Sequence, residues 1–278
     1  MDMKNIPIPT IHLFPVLEEQ LMQLLHSLTA KEWNKPTVAR LWAVKDVAAH
    51  LLDGNIRVLS MMRDYHFGDP PGNIYTYEDL VSYLNGINAE WVHAMKRMSP
   101  QLMISLLEFT GKAYAQQFVS LDPFAPAIFA VSWAGETTSP NWFHIAREYT
   151  ERWHHQQQIR DAVGKPGIMT RELYYPVLDT FMMALPYAYR DIEAKENTAV
   201  KITISGHAGG DWFLVKKEKW ELTKINNFPV AAHTTIDGNI AWKLFTKSWR
   251  QKEAMAGISI EGDELLGKPV LDMVTVMA

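Results

Sequence analysis

The chain has 278 residues, of which 47% are hydrophobic and 21% charged, with a formal net charge of −4 and no cysteine. This length is enough for two domains, each with an apolar core, since a domain typically has about 100 to 200 residues. The weakly negative charge argues against a nucleic-acid-binding protein. The absence of cysteine excludes disulfides, thiolate metal sites and a cysteine nucleophile.

The N-terminal residues MDMKNIPIPTIHLFPVLEEQ contain prolines and acidic side chains where a secretory signal needs an uninterrupted apolar stretch. The most apolar run, PFAPAIFAVSWAG, is broken by prolines and is shorter than the roughly 20 residues that cross a bilayer. We therefore expect a cytoplasmic protein with no membrane segment.

The first part of the chain has the hydrophobic spacing of long amphipathic helices. In the first helix, leucines recur at helical spacing up to Leu28, behind a Pro15 that fits the first turn. The fourth helix ends at VGKPG, where Gly164 provides a cap. The predicted helices are residues 13–28, 42–65, 77 to beyond Pro100 with or without an interruption, and 141–164. They predict an antiparallel four-helix bundle.

The pattern changes near residue 167. A helix is predicted at 171–194, followed by four segments with the alternation of strands, AVKITISG, DWFLVKK, KWELTK and AHTTID. SGHAGGD is predicted to be a turn between two of them. Two further helices are expected, GNIAWKLFTKSW behind Asp237 and DELLGKPVLDMVTVM behind Gly262. We predict two domains, residues 1–167 and 168–278, the second of α+β type.

The fourth predicted helix contains the segment EYTERWHHQQQIRDAVG. At about 100° per residue, His144, Glu148, Glu151 and His155 share one stripe, with Gln158 beside it. One interpretation is a solvated face. The other is a set of inward-facing groups with a metal or catalytic role. Polar residues on the other sides of the helix weaken the first interpretation, but the spacing alone still favours histidines that are at the surface or buried with their hydrogen bonds satisfied.

A metal ion needs more ligands than this single helix provides. Glu151 and His155 are four residues apart, so their side chains can converge on one ion, but two ligands are not enough. His50 lies among apolar neighbours on the second helix and is a candidate third ligand. The alternative for His50 is a buried histidine whose hydrogen bonds are satisfied.

WAVKDVAAHLLDGNIRVLS resembles the second-helix signature of the DinB-like superfamily, and specifically of the mycothiol-dependent maleylpyruvate isomerase family. ERWHHQQQI is similar to the fourth-helix signature of that family. VKITISGHAGGDWFL, TIDGNIAWKLF and IEGDELLGKPVLDMVTVMA are similar to its C-terminal domain, which is like sterol carrier proteins. The resemblance implies a fold of class α plus α+β: an N-terminal DinB-like four-helix bundle followed by a smaller α+β domain.

The resemblance implies that His50, Glu151 and His155 hold a divalent metal, with zinc the first expectation and nickel or another ion as alternatives. Such a set leaves coordination positions open for water, thiol or substrate. His154 points about 100° away from its neighbour and is predicted to be at the surface or between helices. Many relatives carry an aspartate where this chain has Gln158. An amide can form hydrogen bonds but supplies no charge, which puts any role of that aspartate in orienting a ligand or substrate in doubt.

The implied function uses a low-molecular-weight thiol as cosubstrate for isomerisation of, or transfer to, a small electrophile. His144 and Glu148 are candidate acid/base groups or substrate contacts, with solvated or supporting groups as the alternative. Arg57 is a candidate contact for an anionic substrate, with a surface arginine as the alternative. Two other functions stay open: a metal-dependent hydrolase on the same scaffold, and a non-enzymatic stress protein that binds a metal or an apolar ligand. The oligomeric state, monomer or dimer, is also open.

Overall fold

The computed structural model describes residues 5–68 and 71–276. The chain divides into two compact units, one comprising residues up to 128 together with 140–168, the other residues 129–139 together with 169–276. The helices of the first unit are α1 (Phe14–His26), α2 (Val44–Val58), α3 (Tyr77–Met95), α4 (Pro100–Val119) and α5 (Asn141–Val163). None of the helices in the described part of the chain is long and apolar enough to cross a membrane.

The first unit is a helical bundle. Helices α1 and α2 each pack on both α4 and α5, and α3 packs on α2. The leucines of α1 are buried in its core at positions 17, 21, 24 and 25, as their spacing predicts. The third predicted helix is two helices, because Ser99 accepts a hydrogen bond from the Leu102 amide and Pro100 starts a new first turn.

Helix α2 begins at Val44, two residues later than predicted, because the Asp46 carboxylate accepts a hydrogen bond from the Ala43 amide and stops the helix from extending backwards. At its other end α2 continues into one π-helical turn, Leu59–Arg63. Its buried residues include Val47, Ala48, Ala49 and Leu51. Helix α2 packs against α5 at the level of the candidate site.

Most residues of helix α5 are buried, although many of them are polar. Of its 23 residues, 17 are buried, including Arg152 and the three consecutive glutamines that begin at Gln156. The interpretation of its polar stripe as a solvated face is therefore wrong. Gly164 ends the helix in the left-handed conformation, with φ of 69°, as its predicted capping role requires.

The second unit is an α+β fold, which confirms the predicted fold class. Its elements are α6 (Arg171–Met182), α7 (Leu185–Ala188), β1 (Ala199–Ser205), β2 (Gly210–Lys216), β3 (Trp220–Thr223), β4 (Val230–Asp237), α8 (Gly238–Phe245), α9 (Gln251–Ala254), β5 (Ile258–Gly262) and α10 (Glu264–Gly267). The strands form one sheet in the order β3-β2-β1-β4-β5, in which β1 and β4 are parallel and the other pairs antiparallel.

The sheet buries one face of its central strand. Val200, Ile202 and Ile204 of β1 are almost fully buried and alternate with less buried residues. Helix α6 contacts α8 through a hydrogen bond of 2.8 Å, which the Tyr174 hydroxyl donates to the Gly238 carbonyl. The predicted turn at SGHAGGD is confirmed between β1 and β2, where Gly206 has a φ of 95°.

Helices predicted for the second unit were wrong in extent, and one strand was missed. The helix predicted at 171–194 is divided into α6 and α7, and the final helix is only α10 followed by a 3-10 turn at Pro269–Asp272. Pro269 has no amide hydrogen to continue α10. Strand β5 was missed, because it is a five-residue edge strand whose side chains are all at least partly exposed, so its sequence carries little apolar alternation.

Candidate metal centre

Helices α2 and α5 bring the predicted ligand residues together. The rings of His50 and His155 lie with their centroids 4.6 Å apart in an edge-to-face arrangement. The Trp42 ring lies 4.9 Å from the His50 ring and 6.2 Å from the His155 ring, and so forms one wall of the cluster. The spacing of residues along α5 did not indicate this tryptophan, because it precedes α2 in the chain.

Glu151 completes the cluster from one turn earlier on α5. Its Oε2 atom lies 3.3 Å from His155 Nε2. One ligand atom each of Glu151, His154 and His155 lie within 4.8 Å of one another. Within the described part of the chain this group has His154 as its third member, and His50 approaches it from α2 through the contact of its ring with that of His155. Glu151 and His50 are partly exposed, so the cluster can be reached from solvent.

The hydrogen bonds of His155 show whether the cluster suits a cation. Its Nδ1 lies 2.9 Å from the Oε1 atom of Gln158, an atom that can only accept, so Nδ1 carries a hydrogen. The Nε2 atom faces the Glu151 carboxylate at 3.3 Å. A positive charge between these two atoms is favourable, whether it is the proton of an imidazolium ring or a bound cation. The donor set fits a divalent cation.

Two of the histidines are held neutral. Burial lowers the pKa of His50 well below 6.5, and the nearby His155, Arg57 and Arg152 lower it further. Although His50 is partly exposed as a residue, its Nδ1 atom is buried. Burial also lowers the pKa of His154 well below 6.5. A neutral imidazole keeps a lone pair, which is the form that binds a metal.

His154 does not lie at the surface, and that part of its prediction is wrong. Only 5% of the residue is exposed, and its ring centroid is 4.7 Å from that of His155. Gln158 lies between the two rings and also contacts His154, with its Nε2 atom 2.8 Å from Nε2 of the histidine. The interhelical alternative agrees with this burial, since α5 packs against both α1 and α2.

Arg57, the candidate substrate contact, lies on α2 with about a third of its side chain exposed. Its Nη1 atom lies 3.3 Å from Asp53 Oδ2 and 3.4 Å from Asn88 Oδ1. Its positive charge contributes to lowering the pKa of His50, so it acts on the cluster electrostatically. The arginine is thus held near the cluster with part of its guanidinium side chain open to solvent.

His144 and Glu148 belong to a buried hydrogen-bonded group. Arg147 donates to His144 Nδ1 at 2.9 Å and to Glu148 Oε1 at 2.6 Å. The Tyr114 hydroxyl donates to Glu148 Oε2 at 2.9 Å. Burial opposes ionisation of Glu148, but Arg147, His144 and Tyr114 outweigh it and hold the pKa of this carboxyl below its ordinary value. Neither side chain is solvated, and their acid/base role stays a prediction.

The sequence did not indicate the ion pair beside this group. Arg152 of α5 and Glu18 of α1 form a short contact in the bundle, and Arg152 also donates to the Leu51 carbonyl at 3.1 Å. The Arg152 guanidinium lies 4.6 Å from the centre of the Tyr114 ring. In the sequence, the only indication of this ion pair is Glu18, an acidic residue on a leucine-rich helix. Such residues are too common to predict a particular partner.

His144 makes the folded chain sensitive to acid. Burial and the Arg147 charge lower the pKa of His144 from 6.5 to about 4, against a partial opposing effect of Glu148. The unfolded chain therefore binds this proton more readily, and stability is lost as the pH falls from about 6.5 towards 4. We expect His144→Asn, which keeps an acceptor for Arg147 but cannot take a proton, to reduce the loss between pH 7.5 and 4.5 by about 2 to 3 kcal/mol.

Urea unfolding of both proteins at the two pH values measures this effect. The contributions of His50, His154 and Glu148 are present in both proteins, so the difference between the two pH dependences reports His144. Equal pH dependences would show that the buried imidazole is not the acid-sensitive group.

The chain was compared with known protein families and structures. Residues 14–160 match the family described as the mycothiol maleylpyruvate isomerase N-terminal domain. The chain belongs to this family. This match confirms the resemblance, and with it the prediction of an enzyme of the maleylpyruvate isomerase type. No curated protein sequence gives a match.

Two solved structures share the fold of this chain. A crystal structure of a histidine-to-alanine mutant of the mycothiol-dependent maleylpyruvate isomerase has a TM-score of 0.54 at 10% identity, covering 90% of this chain and 91% of the other. A second crystal structure of the mycothiol-dependent maleylpyruvate isomerase has a TM-score of 0.50 at the same identity and coverage. At this identity the similarity establishes the fold alone.

Proposed function

We propose that this family member is a divalent-metal-dependent enzyme that uses a low-molecular-weight thiol to isomerise a small, unsaturated, anionic electrophile. His50, Glu151 and His155 hold the metal, with zinc as the expected ion. The observation that carries the proposal is the pair of atoms His155 Nε2 and Glu151 Oε2, which face each other at 3.3 Å, with the His50 ring 4.6 Å from that of His155. The expected cytoplasmic location stays a prediction.

The donor set supports a catalytic rather than a purely structural ion. A structural zinc site has four protein ligands, whereas two histidines and one carboxylate leave positions for other molecules. A divalent cation in such a site lowers the pKa of a coordinated thiol, so that the thiolate is present at neutral pH. Because the chain contains no cysteine, the thiol is supplied by a separate small molecule.

The isomerisation is redox-neutral. The thiolate sulfur forms a bond to one carbon of the substrate double bond, and the electron pair moves to the adjoining carbonyl oxygen. Rotation about the resulting single bond and expulsion of the sulfur restore the double bond with trans geometry and return the thiol. The positive charge of Arg57 favours an anionic substrate and stabilises the negative charge that develops on the carbonyl oxygen of the substrate. The Trp42 ring contacts the His50 ring on one side of the cluster.

The test is an assay of the untagged chain after removal of metal and reconstitution with zinc. Maleylpyruvate and mycothiol are the first probes, because the family is named for them. We expect loss of the cis substrate to require both zinc and thiol. A Glu151→Gln variant provides the control, since it keeps the shape of the side chain but removes its charge.

Two outcomes would contradict the proposal. Equal rates with and without thiol would exclude a thiol-dependent reaction, and thiol-independent cleavage of an ester or amide would instead support a hydrolase that uses activated water. Equal activity in Glu151→Gln would exclude the proposed metal site as the reacting centre.

A further inference from the structure

We propose that Gln158 is a positioning residue that selects His155, rather than the adjacent His154, as a metal ligand. It does so by determining which ring nitrogen of each histidine carries the hydrogen. This inference rests on the metal site proposed above, and it concerns the position where the resemblance to the family leads to an aspartate.

The first half of the argument concerns His155. Its Nδ1 atom lies 2.9 Å from Gln158 Oε1, and an amide oxygen only accepts hydrogen bonds. In its neutral form, which is the form that binds a cation, the ring therefore carries its hydrogen on Nδ1 and its lone pair on Nε2. That lone pair lies on the side of Glu151, 3.3 Å from its carboxylate. Gln158 thus prepares His155 in the tautomer that binds a cation, as hydrogen-bond partners of metal-binding histidines generally do.

The second half concerns His154. The amide nitrogen of the same Gln158 lies 2.8 Å from His154 Nε2, and an amide nitrogen only donates. The lone pair of the neutral His154 ring is therefore on Nε2, where the hydrogen bond uses it, and the hydrogen is on Nδ1. Neither nitrogen of His154 then offers a lone pair to an ion. One side chain gives two adjacent histidines opposite roles.

Selection is needed because His154 is close enough to compete. Ligand atoms of Glu151, His154 and His155 all lie within 4.8 Å of one another. A carboxylate at position 158 can accept but not donate, so it would place the hydrogen of His154 on Nε2 and leave a lone pair on Nδ1. An amide is the group that can accept from one ring and donate to the other.

The test compares the wild type with Gln158→Glu and Gln158→Met after selective ¹⁵N labelling of histidine. In the zinc-loaded wild type, we expect the imidazole ¹⁵N shifts of His154 to show a hydrogen on Nδ1. In Gln158→Glu the hydrogen is expected to move to Nε2, while His155 keeps its hydrogen on Nδ1. A residue with a merely structural role would not change the tautomer of His154.

Zinc affinity gives a second readout. Gln158→Met removes both hydrogen bonds and should weaken zinc binding about 10- to 100-fold. Gln158→Glu should retain the wild-type affinity or exceed it, because a carboxylate also accepts from His155 and increases its basicity. Gln157→Met is the matched control, since Gln157 is an adjacent buried glutamine of the same helix. Its affinity for zinc should stay within about threefold of wild type.

The results separate the failure of this inference from the failure of the proposed function. A wild-type chain that binds no zinc would remove the metal site and the inference with it, and this is seen before any variant is made. Zinc binding in the wild type, together with an unchanged His154 tautomer in Gln158→Glu, would overturn the inference alone. Unchanged affinity in a folded Gln158→Met protein would do the same.

Discussion

Replacing His50 or His155 with alanine is expected to remove stoichiometric zinc and to lower kcat/KM on the order of a thousandfold. Each variant would leave two of the three proposed protein ligands, too few to hold an ion in a fixed geometry. Loss of the ion removes several kcal/mol of charge stabilisation in the transition state, and each 1.36 kcal/mol corresponds to a factor of ten in rate. Elemental analysis of the untagged proteins and steady-state kinetics with thiol and electrophile measure the two effects.

The chain offers a matched control for this experiment. His26 and Glu108 also form a histidine–carboxylate pair, with Nε2 and Oε1 2.7 Å apart, but about half of each side chain is exposed. His26→Ala should keep both zinc and activity. Equal loss of zinc in His26→Ala and His155→Ala would indicate general destabilisation, and retention of zinc in His50→Ala would exclude His50 as a ligand.

Arg152→Met is expected to lower the free energy of unfolding by about 3 kcal/mol or more. The substitution leaves the Glu18 carboxylate in a largely buried position without its guanidinium partner. It also removes the hydrogen bond to the Leu51 carbonyl and the contact with the Tyr114 ring. Burial disfavours the charge on Arg152, but Glu18, Tyr114 and Glu148 raise the pKa of the guanidinium above its ordinary value, so the charge is retained in the folded chain.

A double-variant cycle with Glu18→Leu tests this explanation. The double variant Glu18→Leu with Arg152→Met should be more stable than the sum of the single effects predicts, because no unpaired charge is left buried. Arg63→Met is the matched control, since Arg63 pairs with Asp64 where about half of each side chain is exposed, and it should cost no more than about 0.5 kcal/mol. Strict additivity in the cycle would show that the two side chains do not stabilise each other.

The sequence predicts the bundle well where the helices are amphipathic. The leucine spacing of α1 and the cap at Gly164 correspond to the observed helix and helix end, because burial of one apolar stripe is a local pattern. The break at Ser99 was left open, because both a continued and an interrupted helix fit the same apolar spacing. The edge strand β5 has no strong alternation and could not be distinguished from a loop.

The candidate site was only partly accessible to sequence reasoning. The spacing of Glu151 and His155 indicates convergence, whereas the position of His50 beside them depends on the packing of α2 against α5. The burial of His154 could not be predicted from its angle on the helix, because α5 is packed on several sides. From the sequence, Gln158 is only a position where the aspartate of many relatives is replaced by an uncharged side chain. The side-chain geometry shows that its amide contacts the rings of both His154 and His155.

The buried polar character of α5 has a consequence for how this chain tolerates mutation. Gln156 is fully buried, and within the described part of the chain its amide atoms have no hydrogen-bond partner. A buried polar group without a partner costs roughly 1 to 3 kcal/mol. Selection for thermal stability alone should therefore replace such residues of α5 with apolar ones of similar volume. Variants selected only for heat resistance are therefore expected to accumulate apolar residues on α5, the helix that carries the proposed site, and to lose activity. Selection for turnover together with stability would prevent this loss.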